Sequence, residues 1–76
     1  MTHYSSTDLG DGRYRLSSTD AYRHQVLGEF DSLEYLYQTV ESRIQKGDTF
    51  LEGETRFSST QFLQHLKEWR DLYVPF

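Results

Sequence analysis

Arg23-His24-Gln25-Val26-Leu27-Gly28-Glu29-Phe30 can be read two ways, and the fold class turns on the choice. Upstream, Ser17-Ser18-Thr19-Asp20 resembles a helix cap, and Gly28 suits a helix terminator. As a strand, the same stretch places Tyr22, His24, Val26, Gly28 and Phe30 on one face. The strand is preferred over Arg23 to Glu29 because of the residues C-terminal to it. Val26-Leu27-Gly28-Glu29-Phe30 reads as a strand feeding the next helix cap, and Glu54-Thr55-Arg56-Phe57 repeats that arrangement before the second helix. Agreement between the two places tips the choice.

Each cap is itself a signature. In Phe30-Asp31-Ser32-Leu33-Glu34-Tyr35, Asp31 is the expected N-cap, Glu34 closes the box, and Phe30 and Tyr35 have staple spacing. In Phe57-Ser58-Ser59-Thr60-Gln61-Phe62, the same roles fall to Ser58, Gln61, Phe57 and Phe62. The first helix is predicted over Ser32 to Gln45, with Leu33, Leu36, Tyr37, Val40 and Ile44 on its apolar side. Lys46 suits its last turn and Gly47 a left-handed stop. The second is predicted over Ser59 to Leu72, with Phe62, Leu66, Trp69 and Tyr73 as its stripe and Pro75 beyond its end.

Leu9-Gly10-Asp11-Gly12-Arg13 is the strongest turn signal. Arg13 to Leu16 alternates as a strand does, and His3 to Thr7 is its expected hairpin partner. Asp48 to Phe57 is rich in strand formers, with Glu52-Gly53 as a bulge or turn. The expected class is α+β, in the order β-β-β-α-β-α. It is a small antiparallel sheet with two amphipathic helices on one face, built as a single domain over residues 1–76. The alternative is a mostly α, three-helix chain with a short hairpin.

With 76 residues, one core carries the stability. A core of this size rarely supplies more than about 3–5 kcal/mol. Cys is absent, which removes disulfides, thiolate zinc sites and Cys nucleophiles. The net charge of −4 opposes a nucleic-acid binder driven by counterion release. Neither a membrane-length apolar run nor a signal-peptide pattern is present, so a cytoplasmic protein with no membrane partner is expected.

Sites of chemistry are few. His65 and Glu68 stand three apart on a helix, but a metal needs a third ligand. Gly10-Asp11-Gly12 lacks the third glycine of a dinucleotide loop, and Thr19 stands where a calcium loop needs its bidentate Glu. Glu52 and Glu54 would share a strand face about 7 Å apart, where charged residues more often blunt a sheet edge. No cofactor, metal or catalytic set is expected, and the chain is expected not to be an enzyme.

The aromatic content is the feature that points outward: six Tyr, five Phe and one Trp. Phe30, Phe57, Phe62 and Trp69 suit the core. Tyr4, Tyr37, Tyr73 and Phe76 are surplus to it and become candidate partner contacts, since Tyr is enriched at binding hot spots. Arg13 and Arg15, on one strand face and joined by Arg23, could hold an acidic partner or a phosphate. The expectation is a protein-binding inhibitor or regulator of a larger protein. Its size and composition are those of accessory proteins of phages and mobile elements, such as inhibitors of host defence. A subunit of an oligomeric assembly, a homodimer included, is the alternative, and a weak nucleic-acid binder the second.

Overall fold

The computed structural model describes residues 1–73. Seven elements follow one another: β1 (His3–Asp8), β2 (Tyr14–Thr19), β3 (His24–Phe30), α1 (Leu33–Arg43), β4 (Thr49–Glu52), β5 (Thr55–Ser58) and α2 (Ser59–Tyr73). The chain is α+β, and the three-helix alternative does not hold. The strands form one sheet in the order β3-β2-β1-β4-β5.

Two features of the sheet depart from the expected one. The stretch after α1 is a hairpin of two strands rather than a single strand. It turns at Gly53, whose φ of +61° suits the first central position of a two-residue hairpin loop. The sheet is also mixed, because β1 and β4 run parallel, with Tyr4 beside Phe50. Asp48 accounts for that pairing. Its buried carboxylate accepts from the Thr2 amide at 2.8 Å and the Gln45 amide at 2.9 Å. The Thr49 amide then donates to the Thr2 carbonyl at 3.1 Å. One side chain therefore ties the chain's start to the α1–β4 turn.

The strand reading of the central stretch holds, with a shift in register. Tyr22 lies in the β2–β3 turn rather than on the strand, and a bulge interrupts the ladder opposite Leu16 and Ser17. An extra residue moves the rest of the strand to the other face. Val26 pairs with Ser17, while Gly28 pairs with the fully buried Leu16. His24 and Val26 therefore face away from the core, while Gly28 and Phe30 face it.

Both helices cover one face of the sheet, α1 over the β2–β3 side and α2 over β4 and β5. Leu36, Tyr37 and Val40 of α1, and Phe62 and Leu66 of α2, meet Tyr4, Leu16 and Phe50 of the strands. Phe50 is at the centre, stacked on Phe57 at 6.4 Å and edge-on to Phe62 at 5.0 Å. Arg70 locks the helices together outside the core, contacting Glu41 at 3.2 Å and Glu34 at 3.6 Å.

The second helix start is the expected reciprocal box: the Ser58 hydroxyl accepts from the Gln61 amide, and the Gln61 side chain accepts from the Ser58 amide. The first start is corrected by one residue. Ser32, not Asp31, is the N-cap, and its hydroxyl accepts from the Tyr35 amide at 3.3 Å. Asp31 and Ser32 are both cap-forming types; the one-residue shift leaves Tyr35 exposed rather than stapled to Phe30. Ser58→Ala and Ser32→Ala are each expected to lower stability by about 0.5–2 kcal/mol, and Asp31→Ala by much less. Urea midpoints of the three variants check the order.

Candidate functional site

The expected partner contacts divide sharply. Tyr4 is 7% exposed and Tyr37 2% exposed, so neither is free to meet a partner. Both are corrections, and both have a physical cause. Tyr4 sits between β2 and β4 on the core face of the central strand, within the cluster that the two helices cover. Its hydroxyl reaches the Arg43 carbonyl at 3.5 Å. Tyr37 lies on the inner stripe of α1, edge-on to Phe50, Phe62, His65 and Trp69. Trp69, expected at the core, is only partly buried, as are Phe30 and Phe57. Tyr73 is 68% exposed beside Trp69. Phe76 lies outside the described residues.

The arginines do not assemble. Arg13 precedes β2, and Arg15 lies on its helix-free face. Both reach the Glu29 carboxylate, at 3.4 and 3.1 Å, and Arg13 also pairs with Asp11 at 3.0 Å. The Arg13 contact holds the Asp11 carboxyl below its usual range. Arg23 is in the turn at the opposite end of the β2–β3 hairpin. A joint phosphate site from the three is not formed.

One polar cluster escaped the sequence entirely. Glu52 points to the helix side of the sheet, two residues beyond Phe50 on β4. Its carboxylate accepts the Tyr37 hydroxyl at 2.6 and 2.9 Å and lies 3.5 Å from His65 Nε2. The His65 ring stacks on Phe57 at 4.6 Å. Three elements, α1, β4 and α2, are pinned at this node. Burial, and then the adjacent Glu52 carboxylate, push the Tyr37 hydroxyl's pKa well up. Glu54 is the second residue of the β4–β5 turn and is exposed, so it does not share a strand face with Glu52. Glu68 accepts from Gln64 rather than joining His65. Among the described residues no cluster of three His, Asp or Glu side chains could hold a metal ion.

Two clefts adjoin this node. One, of about 560 Å³, runs between β5 and α2, with Phe57, His65, Gln61 and Gln64 along it. The other, of about 680 Å³, opens where β1 and β4 end and includes Asp8, Tyr14, Leu33 and Glu52. Among the described residues, no Ser or Thr hydroxyl lining either cleft is hydrogen-bonded to a His, Asp or Glu side chain of that cleft.

Among the described residues, no helix covers the sheet's second face. His3, Ser5, Thr7, Arg15, Val26, Leu51 and Arg56 are aligned across it by the strand registers. At one edge stands the β2–β3 hairpin. Its turn is built by Asp20, whose carboxylate accepts from the Tyr22 amide at 2.8 Å and the Arg23 amide at 3.0 Å. That turn presents Tyr22 at 94% exposure, and Val26 on the strand behind it is 56% exposed. Tyr22 and Val26 were legible only as members of an alternating strand, since the turn and bulge that expose them are set by pairing with β2.

No helix among the described residues is long and apolar enough to cross a membrane. Compared with known proteins, the chain has no significant match to a family model, a curated protein or a solved structure.

Proposed function

We propose that the chain is a small, non-enzymatic protein-binding module that acts as an inhibitor or regulator of a larger protein. The observation that supports this is the exposure of both Tyr22 and Val26 on the β2–β3 hairpin, whose turn Asp20 braces. A Tyr held by its own turn offers large contact area at low entropy cost. The helix-free face beside it offers a partner the hydroxyls of Ser5 and Thr7 and the charged side chains of Arg15 and Arg56 around Val26 and Leu51. A nucleic-acid role is weaker, because Arg13 and Arg15 are neutralised by Glu29 and Asp11.

The test is affinity capture from the native host with the wild-type chain and with the Tyr22→Ser/Val26→Asp double variant, each verified as folded by circular dichroism. One protein retained by the wild type and lost from the variant is the expected result. Equal retention by both chains, or no retained protein, counts against this surface. Light scattering of the same samples separates an assembly subunit from a monomeric binder.

A further inference from the structure

Strand β3 is the outer strand on one side of the sheet and is paired only with β2. Its hydrogen-bond phase is set by the turn. The Asp20 amide donates to the Arg23 carbonyl at 3.0 Å, which marks that pair as hydrogen-bonded. In an antiparallel ladder the bonded and non-bonded pairs alternate. His24 and Val26 therefore turn their main-chain N–H and C=O groups outward, away from β2.

We propose that this edge takes up an extended segment of a partner protein as a sixth strand; the proposal rests on the protein-binding reading above and names its mode. The outward main-chain groups of His24 and Val26 form a template that an extended backbone satisfies. Val26 supplies the exposed apolar contact for a β-branched or aromatic residue on the incoming strand. Tyr22, in the turn at the end of this edge, is 94% exposed. Arg23, beside it, makes no ion pair among the described residues; of the other arginines without one, Arg43 is on α1 and Arg56 on the opposite edge strand β5. Its neighbour Asp20 is occupied by main-chain amides, which hold its carboxyl low. An acidic residue at the end of the partner segment complements Arg23.

The bulge selects against a second copy of this chain. Two β3 strands related by a twofold axis could pair in register only over His24 to Val26, because the irregularity at Leu27 ends the straight edge in both chains. The straight edge extends only from His24 to Val26, which suits a short segment of a different protein. The opposite edge, β5, runs directly into α2, which packs against it.

The test selects a phage-displayed library of random dodecapeptides on the immobilised full chain and maps bound peptides by amide chemical shifts. Expected are peptides with alternating apolar residues and a terminal acid that shift His24 and Val26. Val26→Pro removes an outward donor at an edge position, where proline is tolerated. Val26→Lys keeps the donor and blunts the edge. Each variant, shown to be folded, is expected to bind at least about tenfold more weakly. Arg23→Gln is expected to lose the preference for the acid. Peptides that map to the β5–α2 cleft or to the helices overturn strand addition while leaving the protein-binding reading intact. So does a library that yields no binder, if the captured partner's footprint avoids β3. A wild-type dimer that Val26→Lys dissolves also overturns it, by making a second copy the occupant.

Discussion

Phe50→Ala is expected to cost about 3–5 kcal/mol, the whole stability that a core of this size commonly supplies. The reason is position rather than size alone. Phe50 is 0% exposed and lies on β4, beside Tyr4 of β1 and Phe57 of β5. Its ring also meets Tyr37 of α1 and Phe62 of α2, each edge-on. Truncation would leave a cavity bounded by two helices and three strands. Each neighbour is itself held by other contacts, so the site cannot collapse cheaply. The variant is expected to lose its cooperative urea transition by circular dichroism. Phe50→Leu retains most of the volume and is expected to unfold cooperatively at a lower midpoint. A Phe50→Ala chain with a near-wild-type midpoint would remove Phe50 from the centre of the core.

Local signals were legible in the sequence, and non-local pairing was not. The Ser58–Gln61 box formed as the residue types require, because a cap and its box partner are three residues apart. The first cap moved from Asp31 to Ser32 because both types can cap and only the packing of α1 chooses between them. The parallel β1–β4 pair has no local signature; it is set by Asp48 reaching Thr2 across 46 positions. The bulge at Leu27 is likewise a property of β2 and β3 together. It explains why an alternation that looked continuous from Tyr22 to Phe30 splits between two faces. Assigning the α2 stripe and the two staples to the core places Phe62 correctly; it leaves out Tyr37, although that residue is on the α1 stripe, and Tyr4, whose burial comes from its central strand.

The Tyr37–Glu52–His65 node was hidden for a related reason. Glu52 on a strand edge beside Gly53 reads as a solvent-facing charge. It turns inward because the β4–β5 hairpin pairs it with Thr55 on the helix face, and there the Tyr37 hydroxyl satisfies it. A carboxylate drawn out of water needs such a donor. The same node constrains any partner-binding role for Tyr37, since its hydroxyl is already committed inside the protein.

That commitment has a consequence at alkaline pH. The Tyr37 hydroxyl's pKa is raised in the folded chain, first by burial and then by the Glu52 carboxylate that accepts its proton. In the unfolded chain the group titrates near 10.0. Below that pH both states keep the proton, and the stabilisation is fully present. Above it the unfolded chain releases the proton while the folded chain retains it. Stability therefore falls as pH rises past 10, with a slope approaching about 1.4 kcal/mol per pH unit from this residue. Burial also raises the Tyr4 hydroxyl, which adds a contribution of the same sign. Urea unfolding measured at several pH values between 8 and 12 reads the slope directly. Tyr37→Phe removes the titrating group, so its stability is expected to decline less steeply over that range, even though its midpoint at neutral pH is lower. The neutral-pH loss, about 1–3 kcal/mol, comes from the Glu52 carboxylate left without its donor. Glu52→Gln separates the two causes: the amide can still accept the Tyr37 proton, but it carries no charge. It is therefore expected to keep part of the alkaline slope, the part due to burial. Parallel pH profiles for wild type and Tyr37→Phe would show that the hydroxyl titrates alike in both states and that the node is open to water.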